Sequence, residues 1–343
     1  MNYRNVFVTL ATIAATAFLG CQPASKQATT QPWPSQPITL SCNAAAGGAM
    51  DQVARWVAQE MEKSLGVTIH VVNHPEGRES AAANDVMNRD HDGYTWAGFS
   101  ESILQNSVLD LTETQAKDWT FFLVAGAPAV LSVPQNSPRN NLDDLISAAK
   151  KNPGKIKVAA SLAGSVWHTK LLALQEAAGV DFLYLPYPES QSSQKAALSG
   201  EVDAVLTSIS EQMERIEGGD LKPLAILEPH PYTLRDGTLI HSAADTFGAL
   251  SESPVSQFLG FALPNDTPEP IIALITEAFE KMMSSPEAKA FSEKRQLDLL
   301  GLHGDEAREL TQRAEQVWTW KLFDLGIAKK SPASIGIPRP SSQ

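Results

Sequence analysis

The chain has 343 residues, 43% of them hydrophobic, enough for two domains with real cores and too apolar for a disordered chain. Its formal net charge is −12, or −13 once residues 1–20, which hold Arg4 and no acid, are set aside. With no clustered Lys and Arg to neutralise phosphates, a nucleic-acid partner is excluded.

Residues 1–20 read as an export signal. Arg4 gives the positive start, and Val6 to Leu19 is an apolar run of 14 residues, shorter than the ~20 that span a bilayer as a helix. The run ends in Phe18-Leu19-Gly20-Cys21, similar to a lipoprotein lipobox with Phe where Leu is usual. Cys21 would then be lipidated and become the mature N-terminus; a plain secretory peptide cleaved nearby is the alternative. Residues 21–36, rich in Gln, Thr, Pro and Ser with Lys26 as the one charge, read as a tether. Cys42 is the only other cysteine; a Cys21–Cys42 bridge is the alternative to acylation.

Ile38 to Cys42 reads as a strand. Ala44 to Asp51, AAAGGAMD, follows as a glycine loop into a helix from about Gln52 to Leu65. There Val53, Trp56, Val57, Met61 and Leu65 recur at helical spacing, and Gly66 is the stop. Gly47 and Gly48 permit φ > 0 and a close approach by a ligand. The unpaired N–H groups and partial positive charge of a helix start make such a loop an anion site needing no basic side chain. A plain strand-to-helix turn is the alternative reading.

Val67 to Val72 is the next predicted strand, followed by the polar loop Asn73 to Ser80 and a helix from Ala81 to Met87. Asp92-Gly93-Tyr94-Thr95 turns into a strand reaching Phe99, and this alternation implies a parallel sheet with crossover helices. The pattern restarts at the strand Val130 to Val133, and Asn141 caps a helix that Pro153-Gly154 ends. Ile156 to Ala160 is a strand, Ser161 to Gly164 a loop, and Ser165 caps a helix to Gly179. Strands Phe182 to Leu185, Val202 to Thr207 and Leu224 to Leu227 complete this half, with a helix ending at Gly200. Gln257 to Leu263 returns to the first half; Pro268, Ser285-Pro286 and Asp305 open three helices, the last through Trp320. The proline-containing tail from Ser331 is loose or draped. The reading is two α/β lobes: residues 37–130 with 256–343, and residues 131–255.

The order AAAGGAMD, Asn73-x-Pro75, Asp92-Gly93-Tyr94-Thr95, Gly164-Ser165-x-x-His168, Pro186-Tyr187 and Gly200-x-Val202-Asp203 resembles the extracytoplasmic solute-binding proteins of tripartite tricarboxylate transporters, the Bug family. It covers roughly residues 36–328. The resemblance implies a type II, Venus-flytrap periplasmic-binding-protein fold, each lobe a sheet flanked by helices. It implies a monomer without cofactor or metal, a small mono- or dicarboxylate in the interlobe cleft, and membrane permease subunits as partners. One carboxylate would be held by Ala46, Gly47, Gly48 and Ala49 from one lobe and by Gly164, Ser165 and His168 from the other. Arg78, Ser80 and Tyr187 complete the expected ligand set.

The sequence departs from the family at Ala49 and Met50, at Glu76-Gly77-Arg78-Glu79-Ser80, and at Pro188-Glu189, so the far end of the pocket differs and no substrate is carried over. Arg78 either pairs with a second carboxylate of the ligand or forms a loop ion pair with Glu76 or Glu79. His168 either contacts ligand or holds Ser165 and its loop. Tyr94 and Tyr187 read as packing or cleft wall, and Asp51 and Asp203 as caps and braces. Two rival functions remain: a lipoprotein presenting ligand to a sensor, and a hydrolase using Ser165 and His168. Against the hydrolase stand the missing Gly-x-Ser-x-Gly elbow and the missing acid to orient His168. Of the seven histidines only His70 and His74 stand at His-x-x-x-His spacing, and they fall on a predicted strand and the loop after it, not on one helix face as a metal pair at that spacing requires.

Overall fold

Two sheets, each with parallel strands whose carboxyl ends open on loops, organise the chain. The computed structural model describes residues 32–188, 190–252 and 257–340; the signal segment, Cys21 and nearly all of the tether lie outside the described residues. The first stretch runs β1 (Ile38–Cys42), α1 (Ala49–Leu65), β2 (Ile69–Asn73), a single turn α2 (Glu76–Glu79), α3 (Ala81–Met87), β3 (Thr95–Ser100) and β4 (Trp119–Ala127). The second runs β5 (Ala129–Pro134), α4 (Leu142–Lys151), β6 (Lys157–Ala160), α5 (Val166–Ala178), β7 (Leu183–Pro186), α6 (Ser190–Leu198), β8 (Ala204–Ser208), α7 (Ile209–Glu217) and β9 (Leu221–Ile226). A two-strand ribbon follows, β10 (Tyr232–Thr233) and β11 (Leu239–Ile240), and then β12 (Gln257–Pro264), α8 (Glu269–Met283), α9 (Pro286–Arg295), β13 (Asp298–Leu302) and α10 (Gly304–Asp324).

The larger sheet has the order β13-β4-β12-β3-β1-β2 and the smaller β7-β6-β8-β5-β9. Strands β1, β2 and β3 pair in parallel, as do β6, β7 and β8, while β12 and β5 run against their neighbours. The chain leaves the first sheet at Ala127 and starts the second at Ala129, and β12 carries it back. In such open α/β sheets, ligands sit outside the carboxyl ends of the parallel strands.

Four strands lie where the sequence pattern gave none: β4, β13 and the two short strands of the ribbon, β10 and β11. β4, WTFFLVAGA, is central, bonded on both sides and buried almost throughout, so it lacks the alternation that marks a half-exposed strand. β13 is a short sheet edge with a register irregularity against β4. α1 starts at Ala49 because Gly48 is its extended N-cap, and α10 starts after His303 instead of at an Asp305 cap. Asn141 caps α4 through the Asp144 N–H, as its position suggests.

Stacked aromatics fill the first sheet's outer face: Phe122 lies 4.8 Å from Phe261, which lies 4.8 Å from Trp96. A second core is continuous from one sheet to the other. It joins Phe99 and Leu123 to Leu131, Val158 and Leu206, with Ala307, Ala314 and Trp318 of α10 packed into it. The tail is draped, not loose: Ile337 is buried, the Trp320 indole N–H donates to its carbonyl at 3.2 Å, and Arg339 sits 4.2 Å over the Trp320 ring. Trp318, only 2% exposed, is the bulkiest α10 anchor. Trp318→Ala should cost about 3–5 kcal/mol, read as a lower urea midpoint with an unchanged slope; a loss below about 1 kcal/mol would remove α10 from the shared core.

Candidate functional site

The first loop follows β1. Gly47 takes φ +87°, a conformation that favours glycine, whereas Gly48 is extended at φ −69°, ψ 167°. The expectation of positive φ at both glycines is therefore corrected to Gly47 alone. Their amides turn inward: the Gly47 N–H donates to Asp51 Oδ2 at 2.8 Å and the Gly48 N–H to the Ala45 carbonyl at 3.2 Å. By helix geometry the open donors are those of the first turn, at Ala49 and Met50, with Ala46 exposed at the loop tip.

Asp51 and Asn73 brace this loop. Asn73 Nδ2 donates to the Ala44 carbonyl and to Asp51 Oδ1, both at 2.8 Å, and Arg55 pairs with Asp51 at 2.9 Å. Burial acts to raise the Asp51 pKa, but the Arg55, Gly47 and Asn73 hydrogen bonds outweigh it and hold the carboxyl below its ordinary range. Cys42, just before the loop, is a free buried thiol that burial pushes up to about 12, so it stays protonated and inert.

The second loop follows β6. Gly164 has φ +85°, and a Cβ there would collide with Leu322 of α10. Ser165 caps α5 by accepting the His168 backbone N–H at 3.3 Å, while the Gly164 N–H donates to His168 Nδ1 at 3.0 Å. An accepting Nδ1 puts the imidazole proton on Nε2. Burial, with Lys321 nearby, drives the ring from 6.5 down to about 4, so it is neutral at pH 7. Tyr184 stacks on His168 at 3.9 Å and donates its hydroxyl to the Ser161 and Leu162 carbonyls. The imidazole bonds the Gly164 amide and not Ser165 Oγ, so the nucleophile–base pairing of the hydrolase reading is not formed.

Between the loops lies the turn Glu76–Glu79. Gly77, Arg78 and Glu79 take φ of +61°, +56° and +69° in succession, which for Arg and Glu is strained backbone. The Glu79 carboxylate fixes the turn: Glu79 Oε2 accepts from Ser102 Oγ at 2.6 Å, Ser100 Oγ at 3.1 Å and Asn43 Nδ2 at 3.3 Å. Arg78 then reaches the other lobe, its Nη2 donating to the Ala163 carbonyl at 3.2 Å. Among the described residues Arg78 forms no ion pair with Glu76 or Glu79. Glu101 is buried beside Ser100 and Ser102, and Glu211 caps α7 from the opposite lobe through Ser208. Burial pushes the Glu101 carboxyl up to about 8, with the Glu79 charge adding to it, and burial also raises Glu79 and Glu211.

Of the remaining expected residues, Ser80 is buried behind the turn, its Oγ beneath Gly77. Tyr187 bonds Glu201 at 2.9 Å and packs with Leu221, and Tyr94 packs against Trp33 with the rings tilted by 49°. Asp203 braces the Lys157 N–H at 2.9 Å and pairs with Arg139 at 3.1 Å. Asn43, Ser100, Glu101, Ser102, Tyr184 and Glu211 were not singled out from the sequence, and Glu79 was considered only as an ion-pair partner for Arg78. Ser100-Glu101-Ser102 did carry a signal, a polar triplet directly after a buried strand. Among the described residues no group of three or more His, Cys, Asp or Glu is arranged to hold a metal, and no helix is long and apolar enough to cross a membrane.

The raised carboxyls fix a pH dependence. Glu101 at about 8 and Glu315 at about 7, both above the ordinary 4.5, make the folded chain bind more protons than the unfolded one. Stability therefore falls as pH rises through that range. His168 has the opposite sign, but only between 4 and 6.5. The melting temperature of the ligand-free protein should drop between pH 6.5 and 8, and Glu101→Gln should flatten the drop; a wild-type melt that rises over this window would refute the buried-carboxyl account.

Residues 53–322 match the family described as tripartite tricarboxylate transporter family receptor. A UPF0065 protein from the gbd 5' region of Cupriavidus necator is 25% identical over 338 residues, 96% of this chain and 99% of that one. A Rhodopseudomonas palustris structure with adipate has TM-score 0.73 at 21% identity, covering 86% of this chain and 99% of that one. MatC from the same organism, with bound malate, has TM-score 0.67 at 22% identity, covering 84% and 99%.

Proposed function

The chain belongs to the tripartite tricarboxylate transporter family of receptors, solute-binding proteins and not enzymes, and from that premise we propose that it captures a small organic carboxylate between its lobes and hands it to membrane permease subunits. The observation that carries this reading is the pair of strand-to-helix loops, 44–49 and 161–165, with Arg78 joined to the second by its bond to the Ala163 carbonyl. In this reading a carboxylate lies between the first-turn amides of α1 and α5, with Ser165, the Nε2–H of His168 and Arg78 as side-chain donors. Ala46, Gly47, Gly48 and Gly164 shape the loops that present those amides, Ser80 supports the Arg78 turn from behind, and Tyr187 lies further out on the cleft wall. Helix N-termini supply the positive field that the acidic surface lacks. Relatives solved with malate and adipate make dicarboxylates the first ligands to test. The expected lobes are residues 37–130 with 256–343, and 131–255. We place the mature protein in the periplasm, anchored through a lipidated Cys21.

Thermal shift against a panel of organic acids tests the ligand class. A true ligand at 100 times its Kd should add about 2.7 kcal/mol of stability; shifts by sugars with none from any carboxylate would end the reading. Within the clamp, Gly47→Val should abolish binding, because a branched residue resists the left-handed conformation. Ser165→Ala should cost about 1.5–3 kcal/mol of binding energy, and Arg78→Ala should weaken dicarboxylates more than monocarboxylates by titration calorimetry. Normal affinity in Gly47→Val would overturn the clamp. For the anchor, Cys21→Ser should release the protein from membranes, and mass spectrometry finding an unmodified mature N-terminus would refute lipidation.

A further inference from the structure

We propose that Lys170 and Glu228 are positioning residues for ligand capture: their buried ion pair fixes the helix that carries the second clamp loop to the first residue beyond the lobe crossing. The inference rests on the carboxylate reading and deepens it. Among the described residues Lys170 is the one buried basic side chain, 4% exposed. It follows His168 by two positions and shares the inner side of α5 with Trp167, Leu171 and Leu174. Its Nζ donates to the Leu227 carbonyl at 2.8 Å and pairs with Glu228 Oε2 at 3.0 Å. The other carboxylate oxygen of Glu228, Oε1, accepts the Ala129 N–H at 2.9 Å.

Ala129 is where the chain enters the second sheet, and Ala127, two residues earlier, pairs with Gln257, where the chain returns to the first. The backbone at this step is bound to the second lobe. The Ala129 carbonyl accepts the Leu227 N–H at 2.9 Å, and the Pro128 carbonyl accepts the Ile209 N–H at 2.8 Å. Ser242 Oγ in turn donates to the Glu228 backbone carbonyl. The Glu228 charge also reaches Asp298 of β13, in the first sheet, where it adds to the burial that raises that carboxyl. The pair therefore sits at the boundary between the lobes. Stability alone does not account for it there: desolvating two charges offsets most of their attraction, and apolar replacements are often as stable. What the pair supplies is register, because a fully satisfied buried network admits one arrangement of its partners. The first-turn amides of α5 and Ser165 face the ligand, so a shift of that helix relative to the crossing would misplace them as the lobes come together.

Titration calorimetry of the mature chain with malate and adipate tests this, comparing the wild type with the double variant Lys170→Met, Glu228→Gln. The double variant removes both charges, while the Gln amide oxygen can keep the Ala129 N–H. It should bind at a stoichiometry near one with Kd raised tenfold or more, because the link to α5 is cut and the loop's own bonds stay. A pair that only stabilises the fold would lower the stoichiometry and leave Kd at the wild-type value. An unchanged Kd overturns the inference and leaves the carboxylate clamp intact. Where the double variant does not fold, hydrogen exchange in the wild type decides. Saturating acid should slow the Ala129 amide at least tenfold, together with the first-turn amides of α5; an Ala129 rate indifferent to ligand overturns the inference. Binding of neither acid to the wild type overturns the clamp and the inference together.

Discussion

The Glu79 carboxylate is the tie on which the cleft depends. Its bonds to Ser102, Ser100 and Asn43 reach from the turn after β2 to the carboxyl ends of β3 and β1. Without that tie nothing obliges Arg78 and Glu79 to remain at positive φ, a conformation that costs of order 1–3 kcal/mol for each non-glycine residue. The strain is what aims Arg78 across the cleft at Ala163 and not outward to water, where a neighbouring Glu would take it. Local strain and contact between the lobes are thus one arrangement, held from the first lobe and felt in the second.

An acidic protein reading an anion needs its positive charge from somewhere other than side chains, and the two loops divide that work. Asp51, a full negative charge in the first turn of α1, would oppose an anion there if it faced the cleft. Instead it is turned back on Gly47, Asn73 and Arg55 and so neutralised locally. The loop gains a rigid shape from the same residue that would otherwise weaken its field. In the second loop His168 has the corresponding part. Held neutral and pinned by the Gly164 amide and the Tyr184 ring, it fixes the loop without adding charge.

Much of this was legible because local chemistry and fold agree. A glycine loop between an apolar strand and a periodic helix can be little else, and Ser165 and Asn141 cap the helices they precede. What stayed hidden depends on distance in sequence. The Glu79 tie joins residues 21, 23 and 36 positions apart, and nothing in the local pattern of Glu76 to Ser80 distinguishes a solvated loop from a strained one. β4 was missed because a strand buried on both faces loses its alternation. Tyr184 was passed over for Tyr187, three positions away, because only the pleat of β7 decides which ring meets His168.

The second clamp loop is also tied to the shared core, and this sets how the two lobes are coupled. Gly164 lies against Leu322 and Ile327, at the end of the helix whose Trp318 fills the core joining both sheets. Glycine is needed there for close approach as much as for its left-handed backbone. A side chain at that position would push α10 outward and disturb the core at the same time as the site. Because Leu322 fills the space beside Gly164, a displacement of the second loop would have to carry the end of α10 with it.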